Sequence, residues 1–298
     1  MPEELTGEPG RLDAVLARLT GERRAVVQRA IEAGKVTVDG ASRARSFRLS
    51  GGERVVADLA QDMEILPEGP PVPVRYRDDH LLVVAKPAGL VTHPTERRRS
   101  GTLVNRLLGM GERLSSLGEP MRPGIVHRLD AGTSGLMVVA LTDEAHVALE
   151  GMLRRHEIDR RYLALVRGAP AHEVFSVEAP LGRRAARVIV DRAEGRASQT
   201  DFEIRERFDR ATLLEATPRT GRTHQIRVHL SAIGHPILGD RSYGGAGDVA
   251  RVLGLARPFL HSWRIEFDHP ATGERIELEE PLPEDLLATL ARLVDLQS

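Results

Sequence analysis

Four prolines fall within residues 62–73, DMEILPEGPPVP, and no apolar periodicity crosses them. Proline fixes its own backbone and donates no hydrogen bond, so neither a helix nor a central strand can run through such a stretch. It reads as a linker of limited flexibility between a region at 1–61 and a larger one at 74–298. Ahead of it, Leu12, Val15, Leu16 and Leu19 recur at the spacing of one helical face. A second helical run, ERRAVVQRAIEAG, aligns Val26, Val27, Ala30 and Ile31, with Gly34 placed to end it. KVTVDG then alternates like a strand and closes in Asp39-Gly40, a tight-turn signal. Beyond the prolines the texture changes to short apolar runs: LLVVAK, LMVVAL, RYLALV, RVIV and ATLLEA. Helical stretches are fewer and do not alternate regularly with these runs. The expectation is an α+β fold with a central mixed, mainly antiparallel sheet flanked by helices and loops.

A length of 298 residues exceeds one typical domain, and 41% apolar with 29% charged residues is ordinary for a globular chain. No run approaches the ~20 apolar residues that a bilayer requires, and the start, MPEELTGEPG, lacks the pattern of a signal peptide. A cytoplasmic protein with no membrane partner is expected. The absence of cysteine excludes disulfides, thiolate metal sites and a cysteine nucleophile. A net charge of −1 would argue against nucleic acid, but net charge hides distribution. Only Lys35 and Lys86 are lysines, so nearly all 42 basic residues are arginines, whose planar fork suits phosphates and base edges.

Three segments carry candidate chemistry. In GIVHRLDAGTSGLMVVAL, His127, Arg128 and Asp130 precede a Gly- and Ser-containing turn that leads into an apolar strand. A carboxylate at the lip of a buried strand can be partly desolvated and still meet a substrate, as a nucleophile must. The plainer alternative is that Asp130 caps the turn and pairs with Arg128. In RRYLALVRG, Tyr162 can pack in the core or stack on a base. In PRTGRTHQIRVHLSAIGHPILGD, Thr223 is expected to cap a helix whose apolar face is Ile226, Leu230 and Ile233. Arg227 lies beside that face, where it could reach a buried carboxylate. The spacing of His224, His229 and His235 matches no metal motif, so no metal is expected.

The first region resembles the αL RNA-binding domain of ribosomal-protein S-four type, through RLD at its start, EAGKVTVDG and SGGERVV. That family usually has Asn-Gly where this chain has Asp39-Gly40. The resemblance implies that Arg23, Arg24, Arg29 and Lys35 face RNA. From about Tyr76 onward the chain resembles the RluA-type family of RNA pseudouridine synthases. The matching features are HRLD before TSGLMVVA, RRYLALV, GRTHQIRVHL with HPILGD and YGG, and LHSWRIEFDHPATGE. HLLVVAKPAGLVTHP and the αL-like region narrow the likeness to the RluD-like branch that modifies large-subunit ribosomal RNA. Where the family often has Lys-Asp, this chain has Ala131-Gly132, which removes charge beside Asp130.

The resemblance implies the pseudouridine synthase fold, with Asp130 as catalytic nucleophile, Arg227 as its ion-pair partner and Tyr162 beneath the target base. The reaction adds no atoms and is redox-neutral, so no cofactor is expected. A uracil inside folded RNA must be extruded first, and Arg128 stands where it could fill the vacated position. His127, Arg222 and His224 are expected to contact RNA, with Arg97, Arg98, Arg99, Arg183, Arg184 and Arg187 as candidate phosphate contacts. A monomer acting on large-subunit ribosomal RNA is the expected arrangement. Competing readings are a non-catalytic RNA-binding protein of ribosome assembly, which requires Asp130 to be structural, and a metal-dependent RNA hydrolase built on the histidines.

Overall fold

The structure is a computed structural model that describes residues 2–22, 24–59, 65–95, 98–118, 121–185 and 187–296. The chain divides into two compact units, Met1–Glu64 and Ile65–Ser298. In the first, β1 (Glu3–Thr6), β2 (Gly10–Arg11), α1 (Leu12–Thr20), α2 (Arg24–Glu32), β3 (Val36–Val38), β4 (Ala41–Ser42), β5 (Arg48–Leu49) and β6 (Arg54–Ala57) follow in order. Four of its strands form a sheet in the order β1-β6-β3-β4. The apolar positions of both helices, among them Leu12, Leu16, Val27 and Ile31, meet Val36, Val38 and Val55 in one core. Asp39 and Gly40 both take positive φ, 50° and 77°, as the two-residue turn between β3 and β4 requires.

The second unit opens with β7 (Val74–Arg77), β8 (Leu81–Lys86), α3 (Leu103–Gly109), β9 (Ser134–Ala140), α4 (Asp143–Arg155) and β10 (Asp159–Arg167). Then come β11 (Val174–Glu178), β12 (Leu181–Arg184), β13 (Arg187–Val190), β14 (Gln199–Arg207) and β15 (Ala211–Pro218). The chain closes with α5 (Gln225–Ala232), α6 (Asp248–Val252), β16 (Leu260–Asp268), β17 (Arg275–Glu279) and α7 (Glu284–Asp295). The main sheet has nine strands in the order β11-β14-β15-β10-β16-β9-β8-β7, with β17 on β16. Only the β16 and β9 pair is parallel, so the sheet is mixed and mainly antiparallel.

Strands β8 and β9 are buried throughout because both faces of the sheet are covered. Leu82, Val84, Met137 and Val139 face one core with Leu103 and Leu107 of α3. Leu81, Val83, Leu136 and Val138 face another with Leu149 and Met152 of α4. The RVIV run does not join this sheet: β13 pairs with β12 in a separate hairpin, where only Val188 of its four residues is buried.

The described part of the proline-rich stretch is fastened to the larger unit. Asn105 donates to the Leu66 carbonyl at 2.9 Å, Val72 is buried, and Ala85 donates to the Pro73 carbonyl at 2.9 Å. No helix among the described residues is long and apolar enough to cross a membrane.

Candidate active site

Asp130 sits in the turn that delivers the chain into β9. The turn is closed by a bond from the Thr133 amide to the Asp130 carbonyl at 3.0 Å. Its neighbours are tied down from outside: the Thr92 hydroxyl donates to the Leu129 carbonyl at 2.8 Å, and the Gly89 amide to the Ala131 carbonyl at 2.7 Å. Buried Lys86 donates to the Pro87 and Leu90 carbonyls at 2.9 and 2.8 Å, and reaches the Ala131 carbonyl at 3.5 Å. Burial lowers the Lys86 ammonium to about 7, against the opposing pull of Asp130. One position at the start of β9 admits only glycine. Gly135 has φ +112°, and a Cβ there would lie 2.1 Å from the Ser262 carbonyl oxygen of the neighbouring strand.

Helix α5 brings the partner. Arg227 Nη1 donates to Asp130 Oδ2 at 2.9 Å. The same guanidinium grips Asp240 in a two-pronged bond, Nε to Oδ2 at 2.7 Å and Nη2 to Oδ1 at 3.0 Å. Burial opposes the Arg227 charge, but its bonds to the Asp240 and Asp130 carboxylates raise its pKa above the ordinary value. The Tyr243 ring lies 4.9 Å from its guanidinium carbon. Asp240 was not among the expected site residues. The signal was available in the chemistry of arginine: a buried guanidinium has more donors than one carboxylate can accept, so a second acceptor had to exist.

The helix begins one residue later than expected. His224, not Thr223, precedes its first turn, and His224 holds a left-handed φ of 56° with no side-chain cap. That strained backbone places His224 Nε2 3.7 Å from Asp130 Oδ1, while Nδ1 bonds the Tyr243 hydroxyl at 2.8 Å. Ile233, expected on the apolar face, lies past the last helical residue and is exposed. The three histidines of this segment do not converge. His229 is buried between Ser198 and Thr200, and His235 bonds the Arg167 carbonyl.

Asp130, Tyr162 and Arg227 line one cavity of about 400 Å³, within the range of sites that accept small organic groups. Opposite Arg161 and Tyr162 the pairing register shifts by one residue, with Trp263 of β16 left without a partner on β10. Tyr162 is buried, and burial pushes its hydroxyl pKa up. Among the described residues five arginines line the cavity, at 122, 128, 160, 222 and 227, against one carboxylate, Asp130. The net charge of −1 therefore conceals a strongly cationic hollow.

Arg128 is exposed at this cavity and makes no side-chain hydrogen bond or ion pair among the described residues. It does not pair with Asp130, as the plainer reading of the turn supposed. Arg222, also exposed, donates to the Ala197 carbonyl at 3.2 Å. His127 lines the cavity, but its Nε2 accepts the Val138 amide at 3.0 Å. Burial and nearby Arg160 lower it to about 3, so it holds the wall as a neutral ring. In the smaller unit Arg24 is engaged with Asp13 at 3.0 Å, and Lys35 is half-buried ahead of β3. Arg23 and Arg97 lie outside the described residues, as does the side chain of Arg29. Arg98, Arg99, Arg183, Arg184 and Arg187 are exposed, with Arg187 stacked over Tyr243.

A family model for RNA pseudouridylate synthase matches residues 80–232, and one for the S4 domain matches residues 10–55. An uncharacterized RNA pseudouridine synthase YlyB of Bacillus subtilis is 37% identical over 95% of this chain and 94% of its own. The ribosomal large subunit pseudouridine synthase D of Nitrosomonas europaea is 40% identical over 99% of this chain and 87% of its own. Among solved structures, human RNA pseudouridylate synthase domain containing 1 superposes with a TM-score of 0.59 at 26% identity, over 77% of this chain and 96% of that one. With the mixed sheet, the Asp130 turn and the small N-terminal unit already described, these matches show that the chain belongs to the RNA pseudouridylate synthase family and carries an S4 domain.

Proposed function

We propose that the protein isomerises uridine in large-subunit ribosomal RNA, with Asp130 as the reacting carboxylate. The observation that carries this reading is the state of that side chain. Arg227 fixes one oxygen, the other has no hydrogen bond among the described residues and faces His224 Nε2 at 3.7 Å, and the carboxylate borders a cavity whose lining includes five arginines. The isomerisation breaks the bond from uracil N1 to the ribose and forms one from C5 to the same carbon. A proton leaves C5 and N1 gains one. A carboxylate beside that carbon can add to the sugar or the ring, or support the freed sugar, so it serves each route. Tyr162 offers the base an apolar surface, and Arg227 with Asp240 fixes the direction of attack.

The relatives named for the large ribosomal subunit support that RNA as substrate. We also propose that the protein works in the cytoplasm as a monomer. The target base must leave its stack, at a cost of a few kcal/mol. Arg128, exposed and unpaired among the described residues, is the side chain we assign to the gap it leaves. Arg128→Ala is expected to lose RNA affinity and rate together, and unchanged binding would remove it from that role. The function itself is tested by incubating the protein with unmodified large-subunit ribosomal RNA and mapping pseudouridine through a chemical adduct that stops reverse transcription. New stops are expected. Bound but unmodified RNA would favour a binding protein, and cut RNA a hydrolase.

A further inference from the structure

Two adjacent arginines on β10 meet opposite surroundings. Arg161 has three carboxylates within ion-pair distance, Asp159 at 2.9 Å, Glu215 at 3.6 Å and Glu266 at 3.8 Å. Arg160 turns to the cavity that holds Asp130 and Tyr162. It is 8% exposed, and its side chain makes no hydrogen bond or ion pair among the described residues. Its Nε is wholly shut away from solvent and unpartnered. Gly221 borders the same guanidinium, where a Cβ would stand 4.0 Å from Arg160 Nη1.

An unpaired cation is costly to bury, far more so than an apolar side chain of the same size. The one carboxylate in the cavity is already held by Arg227. Among the described residues none therefore pairs with Arg160, and its counter-charge would arrive with the substrate. The formal negative charge of RNA lies on its phosphodiesters, whose two free oxygens match the arginine fork. A uracil oxygen would accept a hydrogen bond but leave the charge uncompensated. Resting on the reading of this cavity as the reacting site, we propose that Arg160 seats the backbone phosphate of the nucleotide that enters it. Arg160 and Tyr162 are two residues apart on one strand, a spacing of roughly 7 Å, which one nucleotide spans from phosphate to base. The arginine would thus fix the sugar over Asp130 from the side opposite the base.

The test uses the full-length protein with Arg160→Met and Arg160→Lys, and a large-subunit ribosomal RNA transcript. Free Arg160→Met is expected to melt at the wild-type temperature or above it, because a buried unpaired charge has been removed. Its RNA affinity should fall roughly ten- to hundredfold, and the slope of log affinity against log salt should be shallower by about 0.7. Arg160→Lys should recover part of the affinity. A neutral methylphosphonate beside the modified uridine should weaken wild type and leave Arg160→Met unaffected. A lower melting temperature with unchanged affinity and slope would make Arg160 structural. A methylphosphonate penalty equal in both proteins would place the arginine on the base and overturn the proposal. Turnover retained by Asp130→Asn would instead sink the reading of the cavity, and these binding measurements would still decide the fate of Arg160.

Discussion

The tetrapeptide Arg-Leu-Asp-Ala occurs twice, at 11–14 in the small unit and at 128–131 in the large one, and the two aspartates meet opposite fates. In both, the leucine is buried and anchors the segment. Asp13 stands in the first turn of α1 with no exposure at all. Its oxygens take bonds from Arg11 at 3.2 Å, Arg24 at 3.0 Å and Gln28 at 2.7 Å. Burial alone would raise its pKa, but those bonds hold it well below the usual carboxylate range. Asp130 stands in a turn, with its own Arg128 turned outward and a single bond from Arg227, 97 positions away. The difference begins in the residues that follow. After Asp13, AVLARL continues a helical period and the carboxylate is folded into a closed network. After Asp130, GTSG makes a turn and leaves one oxygen at a cavity.

Removing the arginine partner should separate the two sites most widely. Arg227→Met strips Asp240, a buried carboxylate, of its counter-charge, so the large unit should lose about 3–5 kcal/mol of stability, and turnover should become undetectable. Chemical denaturation and single-turnover rates would show it, and a variant that kept near-normal turnover would break the assignment of Arg227. Asp13→Asn should cost about 2 kcal/mol of stability, less than the full loss for a buried pair because the arginines are half-exposed. Its rate at saturating RNA should stay within about twofold of wild type. A loss of rate at saturation would mean that the small unit takes part in the chemistry.

The smallest effect concerns acid. His93 is buried, and burial with Arg122 and Arg128 lowers it to about 4. The unfolded chain then binds a proton that the folded chain refuses, between the ordinary value of about 6.5 and 4. Stability from this group is complete above pH 6.5 and is lost as pH falls toward 4. Asp13, whose pKa is lowered, should keep its contribution through that window and lose it only at lower pH. Melts of wild type and His93→Gln from pH 7 to 4.5 should show a flatter decline in the variant. Parallel declines would contradict this.

Much of this was legible because it is local. The apolar runs of β8 and β9 are continuous enough to demand cover on both faces, and the Asp39-Gly40 turn follows from backbone preference alone. Asp130, Tyr162 and Arg227 could each be named from their segments, and the structure brings them to one cavity. Asp240, Tyr243 and Arg160 were not named, since their importance depends on distant contacts or on the absence of a partner. The first turn of α5 was misplaced because Thr223 has the right cap chemistry, while the helix yields that turn to a strained His224 that reaches toward Asp130. The proline-rich stretch looked like a linker because prolines exclude regular structure, which does not prevent an extended segment from bonding along a domain.

The most direct test sets the two aspartates against each other on one RNA. Wild type, Asp130→Asn and Asp13→Asn would be incubated with unmodified large-subunit ribosomal RNA at saturation, and pseudouridine mapped by adduct-dependent stops. Stops are expected with wild type and Asp13→Asn, and none with folded, RNA-bound Asp130→Asn, whose amide keeps the shape but is a poor nucleophile. Stops at the wild-type level from Asp130→Asn would contradict the role of Asp130.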